Sequence, residues 1–170
     1  MRAMWGADTR AEPELRAGEM ATKEIVQAVV CGGMLCGVLD ALAATVSFRL
    51  RGVPPQRVWQ NVASGLLGAS AFQKGRKSAA LGLVLHFTIA LGAACVFCVG
   101  STFLPVLLRS PVIAGGLYGI VVFLVMNLVV LPLSAMPKRP VPAAVVATQL
   151  LIHVLFVGLP ISLAASRILG

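Results

Sequence analysis

Beyond Glu24 this chain carries a single acidic side chain, Asp40, against ten basic ones. Only 12% of all residues are charged and 58% are hydrophobic, whereas a soluble domain carries about 25% charged and 45–50% apolar residues. So few charges cannot cover a water-facing surface. There are two histidines, and the connections between apolar runs are poor in His, Asp and Glu. A nucleophile–base–acid set therefore cannot be assembled outside those runs, and the chain is not expected to be an enzyme. No HxxxH or HxxE spacing offers a sharp metal site, and Gln73-Lys74-Gly75-Arg76-Lys77 lacks the Gly-rich turn and Lys-Ser/Thr of a phosphate loop. No cofactor is expected. Aromatic residues make up 6%, too few to interleave with basic side chains on a nucleic-acid-binding face, so nucleic acid is not an expected partner.

What the chain has instead is long, nearly uncharged runs. About 20 apolar residues in helical form cross the roughly 30 Å of bilayer hydrocarbon. Four stretches reach that length, over about residues 25–46, 79–100, 112–133 and 143–164. The fold class expected is an all-α integral membrane protein, a four-transmembrane-helix bundle. Residues 1–24 form a polar N-terminal tail of mixed charge, and residues 25–167 one transmembrane domain. The apolar run after the tail is too long for the core of a signal peptide, so it reads as a retained first span.

Proline and charge mark the ends. Pro54-Pro55 breaks the chain after the first span. A further helix over about residues 56–72, with Trp59 near its start, has an apolar part too short to cross, so it is expected to be interfacial or re-entrant. Lys74-Gly75-Arg76-Lys77 then marks a membrane boundary where lipid head groups are met. Pro111 opens the third span, Pro132 kinks or ends it, and Pro137-Lys138-Arg139-Pro140 turns into the fourth. Pro160 falls inside that fourth span, where packing against neighbours can satisfy the freed carbonyl.

Lys and Arg orient membrane helices, and the side richer in them faces the cytoplasm. The Arg49–Lys77 and Pro137–Pro140 connections together hold eight, against six in the tail, at Arg109 and at Arg167. The first of these sides is expected to be cytoplasmic.

Four polar side chains lie inside the apolar runs: Asp40, His86, Asn127 and His153. An Asp at a helix centre costs about 2.5–3.5 kcal/mol to insert, so such groups find partners inside the bundle. Because successive spans alternate in direction, all four fall towards the face of the basic connections. Small residues at helical spacing share their faces: Gly33 and Gly37 beside Asp40, Gly82 before His86, and Gly116 and Gly119 before Asn127. These five glycines are the expected helix-packing positions, since such spacing lets backbones approach closely. The four polar groups form a candidate buried cluster. It can fix helix register by hydrogen bonding, relay a proton or ion through Asp40 and a histidine, or, less sharply, hold a metal through Asp40, His86 and His153. Cys95-Val96-Phe97-Cys98 has redox CxxC spacing. It sits late in an apolar helix without nearby cations, so these cysteines, with Cys31 and Cys36, are read as packing residues.

Several phrases together resemble a family of small bacterial inner-membrane proteins, the YagU-like family. They are Gly37-Val38-Leu39-Asp40-Ala41, Pro54-Pro55, Leu85-His86-Phe87, Leu131-Pro132-Leu133, and His153 with Phe156. The resemblance spans roughly residues 25–167, without the longer central loop of that family. It implies a small helical fold and a bacterial inner-membrane location, and assigns no catalytic residue. The expected function is proton- or ion-linked transport through the polar cluster, or that of a non-catalytic membrane subunit. Membrane lipids are the expected partners, with a second copy or another membrane protein.

The sidedness can be measured directly. Single cysteines introduced within Gln73–Lys77 and at Ser134, in a background without the four native cysteines, should both resist an impermeant thiol reagent applied to intact cells. Labelling at one site alone would show that the segment between Pro54 and Gln73 crosses the membrane.

Overall fold

The structure, a computed structural model, describes the backbone of residues 11–138 and 140–170 and the side chains of residues 18–138 and 140–170. Residues 1–10 of the polar tail, and Arg139 of the Pro137–Pro140 turn, lie outside the described residues. Among the described residues there are helices and turns and no strand. Four helices among the described residues are long and apolar enough to cross a membrane.

The first, α1, runs over Ala11–Arg49, 39 residues. It begins well before the apolar run, so part of the polar tail continues the first span as one helix. Its end is set by Gly52, whose φ of 82° takes the chain into the left-handed region favouring glycine. Next comes α2, Pro55–Leu67, with proline at the first helical position, where its missing N–H removes no bond. Gly68, at φ 58°, ends it and opens a tight 3₁₀ turn, Gly68–Gln73. Helix α3 covers Gly75–Phe103, and the single turn α4 covers Val106–Arg109. Helix α5 covers Pro111–Leu133 and α6 covers Ala143–Leu169.

Helix α1 lies between α3 and α6, and α5 packs along α6. The doublet Gly32-Gly33 shows how one helix serves two neighbours. A methyl group at Gly32 would meet Ile161 Cα of α6 at 3.4 Å, and one at Gly33 would meet Leu91 Cδ2 of α3 at 2.8 Å. At Gly37 it would meet the Phe87 ring at 2.7 Å. The centre of the bundle is filled by small side chains, including Ala28, Cys36, Ala94, Cys98 and Ala165, with Phe97 and Ile161 as the larger ones. Large apolar residues such as Val26, Leu42, Val84, Ile113 and Leu128 point outward.

Helix α2 crosses the first half of α3 at Gly82, where any side chain would run into the Trp59 carbonyl. Gln60 Nε2 donates to Gly75 O at 3.0 Å, and Ser78 Oγ donates to Ala71 O at 2.6 Å. The far end of α2 reaches the end of α5, where Ala135 N donates to Gly65 O at 2.9 Å. Arg51 Nη2 donates to Thr148 Oγ1 at 3.1 Å. The α1–α2, α2–α3 and α5–α6 connections therefore share one end of the bundle, and α2 starts and finishes there.

Both α5 and α6 depart from α-helical geometry in the same way. Met126–Val130 and His153–Gly158 are π turns. Leu131 N bonds Met126 O and Leu159 N bonds Val154 O, each reaching five residues back instead of four. Pro132 and Pro160 come next in the two cases. A proline has no N–H and its ring clashes with the carbonyl four residues before it, and a widened turn relieves that clash.

Of the five glycines expected at helix contacts, four lie at one. Gly116 does not, because nothing lies within 4 Å of a methyl group there. Its turn is occupied instead by Gly115 and Gly119, which face Gly158 of α6. A methyl group at Gly119 would meet Val154 Cα at 2.6 Å. Gly119→Ala should therefore destabilise the bundle by about 1–3 kcal/mol through overpacking, and Gly116→Ala should stay within about 0.5 kcal/mol of the parent. Thermal unfolding followed by circular dichroism in one detergent compares them. Equal melting of the two variants would contradict the close α5–α6 approach.

Candidate functional site

Asp40 and His86 come from facing helices. On α1, Asp40 lies one turn beyond Cys36 and beside Gly37; on α3, His86 lies one turn beyond Gly82. The glycine at Gly37 lets α3 come close enough for His86 Nε2 to reach Gly37 O at 2.9 Å. His86 Nδ1 then faces Asp40 Oδ2 at 3.8 Å, with the side chains 13% and 17% exposed. Neither group is fully enclosed by the protein.

The hydrogen bond decides the imidazole's chemistry. A carbonyl oxygen only accepts, so Nε2 carries a proton and the neutral ring presents the Nδ1 lone pair to the carboxylate. Two lone pairs facing each other repel. The pair is favourable when it holds one more proton, either on the carboxyl or on the ring. At 3.8 Å the atoms stand beyond the direct hydrogen-bond range of about 2.7–3.2 Å. A shift of roughly 1 Å or one bridging water would connect them. The arrangement sets one carboxylate and one imidazole facing each other between two helices.

His86 is held between two aromatic rings. Trp59 of α2 and Phe87 of α3 both meet it edge-on, with centroids 5.4 Å away. The Trp59 contact ties the short helix α2 to the pair, and no pattern in the residues pointed to it beyond the small residue at Gly82. His153 stands at the start of the π turn in α6. Its Nδ1 lies 2.8 Å from Gln149 O, so Nδ1 is the protonated nitrogen and Nε2 keeps its lone pair. Phe123 of α5 meets the His153 ring at 5.6 Å.

Asn127 does not join them. Its Nδ2 donates to Phe123 O of its own helix at 2.8 Å, and the residue lies on the outer surface. Its depth along the bundle agrees with the other three, but the π turn in α5 begins at Met126 and resets the direction in which later side chains point. Of the four candidate residues, Asp40 and His86 thus face each other, His153 bonds within its own helix beside Phe123, and Asn127 lies outside. Among the described residues no group of three or more His, Cys, Asp or Glu side chains is arranged to hold a metal ion. The thiols are unpaired, with Cys36 and Cys98 buried and Cys31 and Cys95 on the surface. The two cysteines of the CxxC spacing therefore face in different directions.

An all-helical bundle with four helices able to cross a membrane, joined internally by a carboxylate–imidazole pair, is the class this chain defines. No protein-family model, curated protein or solved structure matches it.

The pairing can be tested by a double-mutant cycle. Asp40→Asn and His86→Gln, alone and together, should show a coupling energy of about 1 kcal/mol in detergent unfolding. The corresponding cycle of Asp40→Asn with Asn127→Ala should be additive within about 0.5 kcal/mol. Equal coupling in both cycles would show that the pair is not a unit.

Proposed function

We propose that this chain is a multi-pass protein of the bacterial inner membrane in which Asp40 and His86 bind and release a proton, coupled to transport of a proton or ion. The observation that carries the reading is the 3.8 Å facing of Asp40 Oδ2 and His86 Nδ1, with the opposite ring nitrogen committed to Gly37 O. A pair built that way has two protonation arrangements separated by a small movement. A carboxylate at hydrocarbon depth carries a cost that a purely structural residue would avoid. His153, with its unused Nε2, is the next acceptor along the bundle.

Membrane placement is supported by the apolar outer faces of all four long helices, since soluble monomers rarely expose contiguous apolar patches beyond a few hundred Å². Helix α2, which starts and finishes at the end bearing the basic connections, is an interfacial helix with lipid head groups around Arg57, Lys74, Arg76 and Lys77. That end faces the cytoplasm, in keeping with the excess of Lys and Arg there. The resemblance to the YagU-like proteins belongs to this proposal. So does assembly with a second copy, because transporters built from inverted repeats are usually larger than this chain.

A second reading is a non-catalytic membrane subunit whose polar residues only set helix register. One observation favours it: both histidines and Asn127 already bond backbone carbonyls. The two readings differ in a single experiment. Purified protein in liposomes loaded with a pH dye should pass protons under an imposed gradient. Asp40→Asn, which keeps hydrogen bonding without exchanging charge, should abolish the flux while the protein still folds and reconstitutes at unchanged yield. Absence of flux in the parent protein under both gradient directions would leave the subunit reading standing.

A further inference from the structure

Away from the polar pair, α3 and α5 meet chiefly through side chains. Tyr118 OH donates to Ala93 O at 2.6 Å, and the Tyr118 and Phe97 rings meet edge-on at 5.0 Å. Beside this bridge is a groove of about 230 Å³, with Val96, Phe97 and Gly100 on the α3 wall and Ala114, Leu117 and Val121 on the α5 wall. Its one polar lining side chain, Tyr118, has its hydroxyl committed to the Ala93 carbonyl, so nothing in the groove asks for a polar ligand.

Its position matches one leaflet. Helix α5 starts at Pro111, and Val121 at the deep end is ten residues on, about 15 Å along a helix. That is half of the roughly 30 Å hydrocarbon thickness. At the shallow end Leu107 of α4 closes the groove, and two residues later comes Arg109, exposed and without an ion pair or hydrogen bond among the described residues. Exposed Phe103, Leu104 and Val106 surround this corner. A helix of a second copy, about 10–12 Å across with side chains, would occupy on the order of 1,000 Å³ over the same roughly 15 Å, several times the 230 Å³ of the groove. One hydrocarbon chain is thin enough.

We infer that the α3–α5 groove is a binding site for a single anionic phospholipid, one acyl chain lying between Val96 and Val121 and its phosphate paired with Arg109. The site rests on the membrane placement proposed above, and is independent of the proton reading. It lies in the leaflet opposite the basic connections, where Arg109 is the cation of the α3–α5 link.

Full-length protein in nanodiscs containing phosphatidylglycerol or phosphatidylcholine with a diazirine at mid-chain tests the site. After irradiation, cross-links should concentrate on the peptides holding Val96–Gly100 and Ala114–Val121. Nothing lies within 4 Å of a methyl group at Gly100 or at Gly92, so Gly100→Leu and Gly92→Leu are matched variants on one helix. The first fills the groove and should remove most of the cross-linking; the second, outside it, should leave it unchanged. Leu117→Trp, filling from the α5 side, should act like Gly100→Leu. Arg109→Gln should remove the preference for phosphatidylglycerol over phosphatidylcholine while retaining acyl-chain labelling. Labelling spread evenly over the outward faces of all four long helices, equal yields in the two glycine variants, or cross-linking between two copies across Gly100 would overturn the lipid site while leaving membrane placement intact. Protein that fails to enter nanodiscs would overturn both.

Discussion

The site depends on how closely α1 and α3 can approach. Gly33 and Gly37 present bare backbone to Leu91 and Phe87, and a single added methyl group at either would fall within 3 Å of those side chains. Because that space is empty, His86 can reach a carbonyl of the opposite helix instead of one on its own. That bond fixes the ring's orientation and its protonated nitrogen together. In a hydrocarbon surrounding, where lipid tails are as apolar as Leu, helices associate through van der Waals contact and interhelical hydrogen bonds. The glycine contact supplies the first and makes the second geometrically possible.

The α5–α6 pair uses the same device for a different purpose. Gly115, Gly119 and Gly158 bring two backbones together where α6 is widened into a π turn. The turn begins at His153, so the proline seven residues later determines where that imidazole points. The π turn of α5 follows the same proline logic but turns Asn127 outward. One local rule therefore recruits one polar residue to the interior and dismisses another.

Helix α2 joins these parts to the end carrying most of the basic residues. It packs through Trp59 on Gly82 and His86, and its far end is hydrogen-bonded to the chain leaving α5. Trp59 thereby sets the short helix directly against the ring that faces Asp40.

Much of the architecture was legible in the residues. Runs of some 20 apolar residues with almost no charge permit little besides long helices, and Pro54-Pro55, Pro111 and the 137–140 turn fix where they stop. The single acid after the tail, and its helical spacing from Gly33 and Gly37, marked Asp40 as a packing-face residue. Depth along a helix is also readable, because rise per residue is constant. Direction is harder: Asp40 and His86 face each other, but Asn127 and Gly116 point away, since a π turn or a choice between adjacent glycines rotates a residue away from the face that ideal periodicity assigns. The sequence by itself determined which four runs become long apolar helices, since this follows from local composition and backbone stereochemistry. Only the tertiary structure decided that Trp59 meets His86, that Gly37 offers its carbonyl, and that Asn127 is left outside, because each requires the relative rotation of two helices far apart in the chain.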